Sequence, residues 1–462
     1  MTSSLRPMLL ALLAASALSG CGSLLQTDYQ RPVADIPAAW QGQGGSTVAT
    51  GERWWRSFGD PQLDALIERA LATNNDLAAA AIKVRRARLQ AGLTDTNLTP
   101  SVGLGGNASA QKDLKRGGPS VRSYNATASL SYELDLWGRL ARLRDAADWE
   151  AEATELDRQS AALSLVGTTA QLYWQIAYLN QRIASAGANL ADTQRTLAIV
   201  TVQHRAGAVG GLDEVQAAQS VATQQASLTG LLQQREEARN ALAILFDRSP
   251  QHRETELPRL PDTALPPIAA GLPAELLARR PDLAAAEWRL KESLANVDAT
   301  RASFYPTLSL TGSIGSASTG LANVLSNPAA TLGAGLLLPF VQWNTTQLTI
   351  KVSKTEYEEA VVNFRQTLYK AFADVENTLS AGTQFGAEGE ALQRAYDLSR
   401  RAETIAGVRY RAGQTGVKDW LDQQQARRNA EDALAQNRLN RLDNRMKLYQ
   451  ALGGDAALRA PG

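Results

Sequence analysis

The sequence predicts two tandem copies of one unit, each combining two membrane-length β-strands with a very long helical hairpin. Three observations carry this prediction. Distant stretches of the chain align with each other without a gap. Several segments alternate apolar and polar residues with the period of a strand. The longest polar-apolar segments instead follow the heptad spacing of a coiled-coil seam.

The chain has 462 residues, with 47 basic and 46 acidic side chains. That balance leaves no bulk field for nucleic acid. Two histidines, His204 and His252, and one cysteine, Cys21, argue against a Cys/His metal site, a disulfide framework or a Cys-His nucleophile pair. Abundant Ala, Leu, Gln, Arg and Glu fits long helices.

At the N-terminus, Arg6 precedes the apolar run "MLLALLAASA". It suits the core of a signal peptide over 1–20 and is too short to span a bilayer. "LSGC" follows and resembles a bacterial lipobox, with Cys21 as the lipidated residue. Acyl chains there would anchor the mature N-terminus. Gly22 rather than Asp follows the cysteine, which in the lipoproteins this motif resembles is compatible with export to the outer membrane. Residues 21–50, with "QGQGGSTVATG", read as a lipidated linker.

The repeat is direct. "NDLAAAAIKVRRARLQAGLTDTNLTPSVGLGGNAS" aligns with "PDLAAAEWRLKESLANVDATRASFYPTLSLTGSIG", bringing Asp76 onto Asp282, Pro100 onto Pro306 and Gly106 onto Gly312. The same offset carries Trp137 onto Trp343, Arg205 onto Arg411 and Asp213 onto Asp419. A period of roughly 200 residues is too long for a solenoid and indicates duplication of a whole structural half. The halves are 51–256 and 274–453, joined by a Pro-rich strap, 257–273, and followed by a tail, 454–462. The prolines of the strap forbid continuous helix.

Each half opens with a helical pattern, and "RPD" breaks the second one because the residue before proline avoids helix. The period then shortens to that of a strand. From Tyr124 to Leu136 the even positions are apolar or aromatic and the odd ones polar, without a break. "TLSLTGSI" repeats the pattern, while "SVGLGGNASA" and "TLGAGLLLPF" are weaker versions. Four strands of about ten residues result, and one apolar face over that length suits a transmembrane barrel. A soluble sandwich strand has the same alternation. Four strands cannot enclose a water-filled lumen, and an open sheet in lipid leaves unsatisfied edges. If these strands lie in a membrane, several chains must share the barrel. Tyr132, Trp137, Tyr305, Phe340 and Trp343 lie near strand ends, where interfacial girdles or ordinary packing would place aromatics.

Long helices come next. From Leu172 to Val200, apolar or small residues recur at alternating spacings of four and three. A helix from about 138 to 204 would be roughly 100 Å long. "HRAGAVGG" and "YRAGQTG" turn the chain back in the two halves, and the second return helix carries Ala435, Leu439, Leu442, Met446 and Tyr449 at heptad spacing. Just after the second turn, "VKDWLDQQQ" sets Asp419 and Asp422 on one helix face. Such a pair could serve acid/base chemistry or simply favour a helix N-terminus. Asp213 matches Asp419, but nothing in the first half matches Asp422, so the two tips are chemically unequal.

Taken in order, "WWRSFGDPQLDALIERAL", "YELDLWGRL", "LLARRPDLAAAEWRL", "FYPTLSLTGSIG" and "RYRAGQTGVKDWLDQQQ" resemble the TolC/OprM outer-membrane efflux factors, and with "LSGC" their NodT-type lipoprotein branch. The resemblance covers nearly the whole mature chain. It implies a homotrimer whose chains share a 12-stranded membrane β-barrel and a long α-helical coiled-coil barrel in the periplasm. It implies a passive export duct that docks on a periplasmic adaptor and a proton-driven inner-membrane pump of the RND type. No catalysis, metal or cofactor is implied beyond the covalent lipid on Cys21. Asp419 and Asp422 match the family's periplasmic aperture, where trimerisation would crowd them into an acidic ring. Such a ring favours cations and raises carboxyl pKa values. Arg205, Arg409 and Arg411 are candidate aperture latches, and Gly207 and Gly413 mark the tips that would meet the adaptor. The glycines equally suit turns with positive φ. Two other readings compete: a periplasmic adaptor lipoprotein, and a glycan hydrolase using Asp419 and Asp422.

Overall fold

The computed structural model describes residues 25–41, 53–115, 119–262, 264–266, 268, 270–271 and 273–454. The expected signal peptide, the lipidation site Cys21 and nearly all of the C-terminal tail lie outside them. Among the described residues, no helix is long and apolar enough to cross a membrane.

The chain forms two compact units, and both repeats contribute to each. One comprises Met1–Ala34, Ile82–Leu156 and Ala284–Thr367; the other comprises Asp35–Ala81, Asp157–Leu283 and Leu368–Gly462.

The first unit holds a four-stranded antiparallel sheet in sequence order: β1 (Ser101–Gln111), β2 (Val121–Leu134), β3 (Thr307–Ser318) and β4 (Pro328–Leu337). The alternation of β2 thus becomes real strand. The last strand ends at Leu337, short of the expected Phe340, because Pro339 has no N–H to donate and begins a 3-10 turn over Pro339–Val341. In the observed register Val102 faces Leu130, Leu310 faces Tyr132, and Leu308 faces Leu336. One face of the sheet is therefore apolar from edge to edge. Its side chains are bare: Leu104 is 85% exposed and Leu332 91%.

The other face carries small polar residues. There Gly103 pairs with Ser129 and Gly105 with Thr127. In the second hairpin the partners are exchanged, as Ser309 pairs with Gly335 and Thr311 with Gly333. The hydroxyls of Ser129, Ser309 and Thr311 donate to the carbonyl of the glycine opposite, each at 3.4 Å. A Cβ at Gly333 or Gly335 would sit 2.9 Å from the facing hydroxyl oxygen, so one bulkier partner per pair is what fits.

The strand-to-helix corner in "YELDLWG" has a local cause. Asp135 accepts from the N–H groups of Leu140 and Ala141 at 3.0 and 2.8 Å, and Gly138 turns the chain with φ +76°. Trp137 donates to the Pro306 carbonyl at 2.7 Å and lies against Tyr305. Its repeat counterpart Trp343 is instead exposed. The segment before the first repeat is held in this unit too: Thr27 donates twice to the buried Asp298, and Arg31 pairs with Glu287 at 2.8 Å.

Among the described residues the main helices are α1 (Pro61–Thr73), α2 (Asn75–Asp95), α3 (Arg139–Arg205), α4 (Gly211–Leu245), α5 (Pro281–Ala302), α6 (Trp343–Arg411) and α7 (Val417–Ala451). Arg280, extended before Pro281, separates α5 from a short turn over Leu276–Arg279, as the "RPD" break requires. With 67 and 69 residues, α3 and α6 are each about 100 Å long. In the second unit Trp54, Trp55, Leu63, Ile67, Tyr173 and Trp174 form the centre of the core, with Tyr449 stacked on Trp54 at 4.7 Å. The heptad positions from α3 and α7 face inward here: Leu179, Leu439, Leu442 and Met446 are all buried.

Candidate functional site at the hairpin tips

Both helical hairpins end within the second unit, and the tips have the same backbone. Gly207 and Gly413 have φ +74° and +72°. The N–H of Gly207 reaches His204 and that of Ala208 reaches Gln203; Gly413 and Gln414 bond Tyr410 and Arg409 in the same way. This double bond pattern is a Schellman closure, which needs a left-handed residue. Nothing lies within 4 Å of a Cβ placed on either glycine, so conformation rather than space selects it.

The tips pack on one another. Val200 and Ala217 from the first hairpin meet Tyr410, Val417 and Leu421 from the second, with Val209 and Trp420 alongside. Tyr410 lies 5.4 Å from Trp420, ring to ring, and its hydroxyl donates to the Gln203 side chain. Burial pushes the Tyr410 phenol up, and the charge of Asp213 adds to this. This clasp between hairpins is absent from the sequence reading. Its partners are 207 residues apart, and no local spacing links them.

The acidic residues of the two tips differ in use. Asp213 caps α4 by accepting from the Gly210 N–H at 3.2 Å. Glu214 accepts from Thr201 at 2.8 Å and lies 3.8 Å from His204. The first tip therefore consumes its carboxylates internally. On α7, Val417, Leu421 and Gln424 turn inward while Asp419 and Asp422 stay exposed. Asp422 pairs with Lys418 at 2.5 Å, which raises the lysine's pKa through that hydrogen bond. Arg205, Arg409 and Arg411 are exposed. Among the described residues none of the three forms an ion pair, and Arg411 donates to the Gly407 carbonyl at 3.0 Å.

Behind the tips the seam turns polar. Gln424 and Arg428 occupy inward positions of α7 at 3% and 5% exposure, and Gln424 donates to the buried Thr196 of α3 at 3.4 Å. Arg428 donates to Gln425 at 2.8 Å, and burial lowers its pKa, with Arg427 adding to the effect. Arg427 ties three helices: Glu403 of α6 at 2.6 Å, Asn189 of α3 at 2.5 Å and Glu431 on its own helix at 2.8 Å. Among the described residues, no group of three or more His, Cys, Asp or Glu could hold a metal ion.

The second unit thus carries two hairpin tips, of which the second displays its acids to solvent. The family model described as "Outer membrane efflux protein" matches residues 66–246 and 272–454, one segment in each repeat. The chain belongs to the outer membrane efflux protein family. It is 36% identical over 430 residues to the pyoverdine export outer membrane protein OpmQ of Pseudomonas putida, covering 90% of this chain and 92% of that one. It is 29% identical over 454 residues to SilC of Salmonella typhimurium, described as a probable outer membrane lipoprotein, over 95% and 96% of the two chains. Among solved structures, the open state of the Neisseria gonorrhoeae MtrE outer membrane channel is similar with a TM-score of 0.80 and 31% identity, over 93% of this chain and 98% of that one. The protein is an outer-membrane efflux channel of the Gram-negative envelope, and the adaptor reading is set aside. Its family is one of channels rather than enzymes.

Proposed function

We propose that three copies assemble into a passive export duct, with four strands from each closing a twelve-stranded barrel and the hairpins continuing it into the periplasm. The observation that carries this is the sheet. It has an apolar face, a polar face and, among the described residues, pairing on only one side of β1 and of β4. Lipid cannot satisfy the backbone groups of those two edges, whereas closure by further copies can. A head-to-tail contact that closes on itself makes a ring.

In this reading the hairpin tips form the periplasmic aperture. Asp419 and Asp422 of three chains ring its axis, which favours cations. Their exposure supports this, as does the internal use of Asp213 and Glu214 at the other tip. Arg205, Arg409 and Arg411 are the candidate latches to neighbouring chains, and the turns at Gly207 and Gly413 meet an adaptor. An inner-membrane pump supplies the energy, so the duct itself needs no catalysis and no cofactor. The lipid on Cys21 is an auxiliary anchor, in keeping with the description of SilC as a lipoprotein.

Retention in the membrane tests the barrel. A Cys21→Ser variant with a cleavable signal peptide in place of the lipobox should stay in the outer-membrane fraction through alkaline extraction. Its release into the soluble fraction would show that only the lipid holds the chain, and would overturn the barrel.

A further inference from the structure

The apolar face of the sheet is not uniform. Along its even-numbered row β2 carries Arg122, Tyr124, Ala126 and Ala128. In the observed register Ala128 stands between Leu104 of β1 and Ile314 of β3, and Ala126 between Gly106 and Ser316. Two large side chains thus flank a floor of small ones. Leu104 and Ile314 are two strand spacings apart, about 10 Å, which admits a hydrocarbon chain lying along the floor. The result is a shallow groove of about 480 Å³, which Leu325 reaches from the connection between β3 and β4.

Charge is concentrated just beyond the groove. The stretch 112–122 carries Lys112, Lys115, Arg116 and Arg122 against Asp113 alone, whereas 319–327 carries no charge and the whole chain is balanced. Arg122 pairs with Ala110 and shares the groove's face, at about 14 Å along β2 from Ala126. Tyr124 lies between them, half-buried. Lys112 follows directly on β1, and both it and Arg122 are exposed. A cation on a face that lipid covers is stable where its head reaches the polar headgroup layer, and a guanidinium there is matched by phosphate.

We propose that the groove, with Arg122 and Lys112, is a binding site for a phosphorylated glycolipid of the outer leaflet. A phosphate accepts from Arg122 and Lys112, Tyr124 lies along the sugar, and one acyl chain occupies the groove over Ala126 and Ala128. Topology selects the leaflet. The strand connections stand at this end, while α2, α3, α5 and α6 all adjoin the strands at the opposite one. The proposal rests on the membrane barrel described above.

Native mass spectrometry of the full-length protein in mild detergent tests the site. The probes are bisphosphorylated lipid A, the same lipid A stripped of phosphate, and phosphatidylglycerol. Lipid A should bind at one copy per chain, about tenfold more tightly than either comparison lipid. Lys112→Gln with Arg122→Gln should weaken lipid A about tenfold and leave the dephosphorylated form unchanged. Lys83→Gln with Arg85→Gln removes the same charge from exposed positions of α2 and should change nothing. Ala126→Trp, which fills the groove, should weaken both forms of lipid A. Equal affinity for lipid A with and without Lys112 and Arg122, or no preference for lipid A over phosphatidylglycerol, at the native mass of a trimer, would overturn the site and leave the barrel. A native mass of one chain would instead overturn the shared barrel, and the site with it.

Discussion

Asp443 on α7 has a buried Oδ1 without a hydrogen-bond partner among the described residues, and burial pushes its carboxyl up from 3.8 to about 7. Lys447, one turn on, offsets only part of this. The folded chain therefore holds this proton more tightly than the unfolded chain does between those two values. The stability it contributes is fully present below the unfolded value and is lost as pH rises through the folded one. Asp443→Asn should raise the thermal midpoint at about pH 8, by on the order of 1–3 kcal/mol in stability, and change it little at about pH 4. An equal shift at both pH values would mean that packing, not titration, is responsible. The tip acids show what a sequence reveals at this scale. The positions of Asp419, Asp422 and Asp213 were legible from the repeat. That Asp213 caps its own helix and that Lys418 engages Asp422 were not, because both depend on side-chain direction. The Tyr410–Gln203 clasp joins two hairpins, and nothing local in either stretch announces it.

The elements themselves were mostly legible, for reasons that can be named. Strict alternation exposed β2, and the Pro before Asp282 exposed the break ahead of α5. The Gly- and Leu-rich β4 alternates poorly, so its pattern runs three residues past the strand's end at Leu337. The buried seam of α7 runs on past Ala435 to Val417 through Arg428 and Gln424, whose polar side chains interrupt the apolar spacing. The turns permit a sharp contrast between neighbouring glycines. Gly413 has φ +72° and Gly416 has φ −68°, and neither has an atom within 4 Å of an added Cβ. Gly413→Ala should therefore cost about 1 kcal/mol and increase protease cleavage at the tip, while Gly416→Ala should leave cleavage unchanged. Equal sensitivity of the two variants would remove the left-handed closure as the reason for Gly413.

For the molecule as a whole, the duplicated order of elements and the impossibility of closing a barrel with four strands both pointed to shared architecture. The family match and the likeness to solved channels place the chain among outer-membrane efflux channels. The repeat left one thing open that the structure supplies. Although the halves align in sequence, Asp213 and Glu214 are half-buried and hydrogen-bonded at the first tip, whereas Asp419 and Asp422 are exposed at the second. In the proposed duct, a ring of Asp419 and Asp422 at the aperture would favour cations. The most direct measurement is the reversal potential of the purified full-length protein in planar bilayers under a salt gradient, with and without Asp419→Ala and Asp422→Ala. A cation-selective current is expected from the natural protein, with loss of most of that selectivity and weaker block by multivalent cations in the double variant. An unchanged reversal potential and unchanged block, at preserved trimer mass, would contradict the acidic aperture.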